Sequence, residues 1–182
     1  VYLGLIMLAV MIWFGIMNPY KCQAEPANAM ELVKEMKAGW NLGNSLECTD
    51  HKRTHEVKRY ETLWGNPVVT EEDIIAVKKA GFRTVRVPVT YYDHCDNNGN
   101  IDKEWLDRVE EVVNYVLEND MYCVLTVHHD TGANAWITTN PQKFEQNSKI
   151  LENLWKQIST RFQNYNYKLV FEGMNEILDS KN

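Results

Sequence analysis

The chain has 182 residues, 45% hydrophobic and 24% charged, with a formal net charge of −6 at pH 7. That length and composition suit one globular domain with a real core, and the acidic balance argues against nucleic acid as a partner, because phosphate binding needs a basic face. Nine tyrosines and six tryptophans suit a protein that stacks on flat ligands, although many such rings are ordinary core.

The first element is an unbroken apolar run, Leu3 to Met17. As a helix it spans roughly 22 Å at about 1.5 Å per residue, short of the roughly 30 Å bilayer core. Cys22 and Ala24, small residues two apart, fit a cleavage site after Ala24. Residues 1–24 are therefore read as a secretory signal that lacks its initial Met and basic n-region, and residues 25–182 as the mature domain. An uncleaved anchor is the alternative; after cleavage no stable membrane insertion is expected, and the protein is secreted. Of the remaining cysteines, Cys48 and Cys95 fall in polar stretches and could pair in an oxidising compartment, whereas Cys123 sits inside an apolar run as a buried thiol. No CxxC pair supports a zinc ribbon or a thioredoxin-like site.

The pattern then alternates. "NAMELVKEMK" (28–37) predicts a short helix and "AGWNLGN" (38–44) a brief strand and loop. "VTEEDIIAVKKAG" predicts a helix with Thr70 as N-cap, acids in its first turn, Lys78 and Lys79 in its last, and Gly81 as its stop. "FRTVRVPV" (82–89) predicts a strand that ends near Pro88, since proline breaks a central ladder. After the turn-rich "DHCDNNGNI", Asp102 can cap the helix "KEWLDRVEEVVNYVLEND", whose Leu106, Val109, Val113, Val116 and Leu117 form one apolar face. "MYCVLTV" (121–127) predicts a strand covered on both faces. Asn140 and Pro141 open another helix running to about Phe162, and "KLVFEGM" (168–174) is the last strand.

Strands alternating with helices mean parallel β-α units. A doubly wound sheet and a (β/α) barrel both fit, but no GxGxxG follows the first strand. A barrel gathers its chemistry at the C-terminal strand ends. Here the four strands run out into Asn44 and Glu47, Arg86, His128 and His129, then Asn175 and Glu176. Each has a bland reading: Glu176 as a helix-start acid, Arg86 as half of an ion pair, Asn175 as a turn residue, the histidines as satisfied polar residues. Adjacent strand residues point to opposite faces, so the His pair is a poor chelator, and no metal site or cofactor is expected. The functional reading has its own logic. A Glu at a buried strand tip is desolvated and stays protonated nearer neutrality, ready to donate to a leaving oxygen. Asn175 can bond a sugar hydroxyl, Arg86 can hold a neighbouring carboxylate ionised, and Trp40, Trp64 and Trp136 can stack on pyranose faces. Together they suggest polysaccharide hydrolysis.

The segments "GWNLGNSLE", "WGNPVVTEEDIIAVKKAGFRTVRVPVTY", "VLTVHHD" and "VFEGMNE" resemble glycoside hydrolase family 5, the cellulase family, in family order across most of residues 38–176. The likeness is strongest to the endoglucanase branch that also contains xyloglucanases and mixed-linkage glucanases. It implies an α/β fold, a (β/α)8 TIM barrel of which this chain holds about four β-α units, and a β-glucan substrate cleaved with retention. Glu176 matches the acid/base, Asn175 the neighbour on the 2-hydroxyl, Arg86 the arginine supporting the nucleophile, and His128, with His129 beside it, the histidine near the same sugar. The family's nucleophile lies on strand seven. The mature chain has about 160 residues against about 250 in a typical barrel, and neither Glu47 nor Glu172 is a good substitute. The chain is thus expected to be the N-terminal part of an enzyme, inactive by itself. The competing reading is a non-catalytic half-barrel that binds glycans or self-associates.

Overall fold

A computed structural model describes residues 25–50, 52, 56–131 and 136–177. The expected signal, residues 1–24, lies outside them. No helix among the described residues is long and apolar enough to cross a membrane. The chain divides into two compact units, Val1–Leu32 and Val33–Asn182, with helix α1, Ala29–Met36, running across the division in sequence.

Within the larger unit, strand β1 is Gly39–Asn41, followed by the short helix α2, Val57–Tyr60, and by α3, Glu71–Lys79. Strand β2 is Thr84–Val89, helix α4 Lys103–Glu118, strand β3 Tyr122–Val127, helix α5 Phe144–Arg161 and strand β4 Leu169–Glu172. The four strands form one sheet in the order β1-β2-β3-β4, every neighbouring pair parallel. A doubly wound sheet reverses its strand order at a switch point. This order is sequential, as in half of a (β/α)8 barrel.

Local chemistry explains the elements. Thr70 and Asp73 form a reciprocal capping box at the start of α3, and Gly81, at φ +101°, takes the left-handed turn that ends it. Asn140 accepts from the Gln142 amide, and Pro141 opens a 3₁₀ turn that leads into α5. Asp102 stands at the N-cap of α4 but makes no side-chain capping bond there, contrary to expectation. Pro88 is tolerated one residue inside the end of β2. Its neighbours Arg86 and Val89 bond towards β1 and β3 respectively, so the missing N–H falls on the β1 side, beyond the last paired residue of β1.

The strands' period of two separates the sheet's faces. Val85, Val87, Val89, Cys123, Leu125 and Val127 are fully buried, in one core with Val109, Val112, Val113 and Val116 of α4 and Leu154 and Ile158 of α5. The other face alternates with it and carries Asn41, Arg86, Val124, Val170 and Glu172. Cys48 and Cys95 do not lie in exposed polar loops: both are buried thiols, as is Cys123. The segments holding them fold inward because Leu46 and Tyr91 enter the core beside them.

Candidate functional site

Arg86 occupies the middle of the sheet's second face. Its Nε donates to Glu172 Oε2 at 2.7 Å and its Nη2 to Glu172 Oε1 at 2.6 Å. Nη1 donates to Asn41 Oδ1 at 2.9 Å and Nη2 also to Asn175 Oδ1 at 3.2 Å. The guanidinium therefore joins β1, β2, β4 and the segment after β4. The register pairs Arg86 with Val124 and Thr126 with Glu172. Arg86 thus reaches its carboxylate diagonally across β3, which its length and fork geometry allow. The hydrogen bond from Arg86 holds the Glu172 carboxyl below its ordinary range, while Glu172 raises the Arg86 pKa. Sequence reasoning gave Arg86 a carboxylate partner but read Glu172 as a strand residue without a role. Asn41 was missed as well.

His128 follows β3 directly, its amide donating to Val89 O at 2.8 Å. The ring is half-buried, and its Nδ1 is buried with no hydrogen-bond partner among the described residues. Burial pushes the imidazole down to about 4, with His129 and Arg86 adding to the effect. His129 does not point to the opposite face. The two rings lie 4.4 Å apart, edge to face, because both residues are past the last residue of the strand and escape its alternation. His129 also meets the exposed Trp64, with ring centroids 5.4 Å apart. Among the described residues no group of three or more His, Cys, Asp or Glu could hold a metal ion.

Beyond β4, the Asn175 amide donates to Val127 O at 2.8 Å, extending the β3–β4 pairing. Glu176 comes next. Its carbonyl accepts from the Thr131 hydroxyl at 2.5 Å. Its side chain belongs to an exposed residue, so the burial expected at a strand tip is not found. The reason is position: among the described residues β4 is an edge strand, with β3 on one side alone.

Asn44 is exposed at φ +57°, and its amide donates to Glu47 Oε1 at 2.5 Å while that of Ser45 donates to Oε2 at 2.8 Å. Glu47 is buried and shapes this turn. Asn44 lies at a strand end as expected, but no hydrogen bond of its side chain reaches the Arg86 cluster among the described residues. Trp136 is half-buried; its Nε1 donates to Asp130 Oδ1 at 3.0 Å, and its ring meets Tyr92 edge to face. Trp40 is half-buried against the core. Asp130 and Thr131, which carry so much of this bonding, were missed. Their signal was present, since both continue the "HHD" strand ending.

Residues 48–182 match the family Cellulase (glycosyl hydrolase family 5). The chain is similar to endoglucanase A of Clostridium longisporum, at 40% identity over 162 residues, covering 87% of this chain and 31% of that protein. It is similar to the cellulase/esterase CelE of Acetivibrio thermocellus, at 45% identity over 151 residues, 82% of this chain and 17% of that protein. Among solved structures, a broad-specificity endoglucanase from an uncultured bacterium superposes with a TM-score of 0.79 at 44% identity, covering 83% of this chain and 42% of that one. A family 5 enzyme of Prevotella bryantii, solved with a xyloglucan tetradecasaccharide, superposes with a TM-score of 0.81 at 37% identity, covering 85% and 45%. The chain spans less than half the length of each of these relatives. With the family match reaching across every β-α unit from α2 to β4, the chain belongs to glycosyl hydrolase family 5, the cellulase family.

Proposed function

We propose that the protein containing this chain is a secreted, retaining endo-β-1,4-glucanase, with Glu176 as its acid/base. The observation that carries the reading is the Arg86 cluster. One guanidinium gathers Asn41, Glu172 and Asn175 on one face of the sheet, and Asn175 is the residue next to Glu176. Asn175 would bond the 2-hydroxyl of the cleaved sugar. His128, a neutral imidazole in half-buried surroundings, would lie beside the same sugar with His129, and Trp136 and Asn44 would line the cleft.

In this mechanism Glu176 protonates the glycosidic oxygen while a second carboxylate, about 5–5.5 Å away, attacks the anomeric carbon. The aglycone leaves, a covalent glycosyl-enzyme forms, and Glu176 then takes a proton from the water that hydrolyses it. Glu172 is committed to Arg86 and Glu47 to its own turn, so the reading places the nucleophile outside the described residues. A β-1,4-linked glucan backbone is the substrate class. Similar enzymes have been solved with cellotriose, cellotetraose and a xyloglucan oligosaccharide. Secretion rests on the apolar run Leu3–Met17 and the small residues before residue 25.

The test is reducing-sugar release from carboxymethylcellulose by the protein expressed from its complete gene. Glu176→Gln should lower kcat by about 10²–10⁴-fold. Unchanged turnover in that variant would overturn the assignment of Glu176. Binding of cellotetraose without any hydrolysis by the wild type would favour the glycan-binding reading instead.

A further inference from the structure

Asp130 is fully buried, and a carboxylate is a costly group to bury where an apolar side chain would pack. Its acceptors serve two purposes. The Tyr91 amide, just beyond β2, donates to Oδ2 at 2.9 Å and to Oδ1 at 3.1 Å. The Trp136 indole Nε1 donates to Oδ1 at 3.0 Å. The Asp130 carbonyl accepts from the Ile137 amide at 3.0 Å, closing the base of the same loop. Trp136 is thus held at its ring nitrogen and at the following residue, with Tyr92 edge-on to its ring at 5.3 Å. A ring fixed at its nitrogen and packed on one flank has a set plane.

We infer that Asp130 is a positioning residue that sets the plane of the Trp136 indole, so that one ring face is presented to a pyranose of the bound glucan. The inference rests on the functional reading above, in which Trp136 lines the cleft. Burial raises the Asp130 carboxyl to about 7, while the Tyr91 amide and the Trp136 indole act to lower it. Both donors favour the ionised form, and an amide replaces it poorly. Asn offers one acceptor oxygen and turns an N–H₂ towards a donor.

The test uses the protein expressed from its complete gene, with Asp130→Asn, Trp136→Phe and the double variant. Two readouts are needed: the indole N–H NMR cross-peak of Trp136, assigned by its loss in Trp136→Phe, and the separate kcat and KM for cellotetraose. Asp130→Asn should move the Trp136 cross-peak and raise KM about tenfold with kcat within about twofold, the pattern of a lost binding contact. Trp136→Phe should raise KM similarly, and the double variant no further. If Asp130→Asn fails to fold, Asp130→Ser, which shortens the reach of the acceptor, takes its place with the same two readouts. A moved cross-peak with unchanged KM would overturn the inference, as would a fall in kcat at constant KM. A wild-type protein that neither binds nor cleaves any glucan would instead overturn the functional reading.

Discussion

The Thr131 hydroxyl oxygen lies 2.5 Å from the carbonyl oxygen of Glu176 and 3.0 Å from that of His128. A hydroxyl has one hydrogen to donate, and the shorter contact is the one to Glu176. The segment after β3 thereby holds the main chain of the proposed acid/base. Thr131→Val keeps the shape and removes the donor. It should lower kcat on carboxymethylcellulose about tenfold, or about 1.4 kcal/mol, with little change in KM. Thr131→Ser should recover most of the loss. A Thr131→Ser enzyme as slow as Thr131→Val would show that the hydroxyl is not what matters.

Arg86 and Glu172 are partly exposed, with side-chain accessibilities of 27% and 33%. Their pairing therefore adds little to stability, about 1 kcal/mol once solvent screening is allowed for. Its geometry matters more. Arg86→Lys keeps the charge but cannot reproduce the fork onto Glu172 while also reaching Asn41 and Asn175. Thermal unfolding should shift by a few degrees at most, whereas kcat/KM should fall at least about 100-fold, or about 2.7 kcal/mol of transition-state stabilisation. A large drop in Tm with near-normal kcat/KM would reverse this assignment.

A second ion pair is of the opposite kind. Arg108 on α4 and Glu61 after α2 are 3% and 0% exposed and doubly bonded, at 2.8 Å and 3.0 Å. Both also hold Val69: Glu61 Oε2 accepts from its amide at 2.9 Å, and Arg108 Nη2 donates to its carbonyl at 2.7 Å. Glu61→Ala leaves the buried Arg108 with the partly exposed Glu111, at 2.7 Å, as its remaining carboxylate, and should cost about 3 kcal/mol by urea unfolding. Glu61→Leu combined with Arg108→Met should recover only part of that loss, because the Val69 amide and carbonyl lose these partners. A single variant as stable as wild type would show that the pair is not a structural tie.

Acid should act through histidine. The His94 ring stacks on Trp105 with centroids 3.6 Å apart, and burial pushes it down to about 3; His128 is pushed down to about 4. The unfolded chain takes up protons near the ordinary value of 6.5, where the folded chain does not. Stability is therefore fully present above about 6.5 and falls as pH drops towards those lower values, by at most about 1.4 kcal/mol per pH unit for each group. Asp130 acts in the opposite sense: its stabilisation is fully present below 3.8 and is lost as pH rises through about 7. The difference between wild type and His94→Phe, which keeps a stacked ring, isolates one group. The wild type should lose stability relative to the variant as pH falls from 6.5 to 4. Parallel curves would remove His94 from the acid response.

The elements were legible because their signals are local. Thr70, Asp73 and Gly81 mark both ends of α3 within a dozen residues, and Asn140 and Pro141 mark the start of the α5 turn. The strand endings were legible too, since each apolar run stops where polar residues begin. What stayed hidden depends on register. That Arg86 meets Glu172 is fixed by the offset between β2, β3 and β4, which no single segment encodes. The exposure of Glu176 follows from the edge position of β4. The burial of Cys48 and Cys95 follows from the inward turns around Leu46 and Tyr91, whose polar neighbours suggested surface loops.

Those buried thiols have a practical consequence. Burial raises Cys48 to about 12 and Cys123 further still, so neither offers much thiolate at neutral pH. A soluble alkylating reagent can reach Cys123, in the middle of the sheet, only when β3 parts from the helices over it. Iodoacetamide labelling of Cys123, followed by mass spectrometry, is therefore a built-in clock for the opening of the sheet, needing no engineered probe.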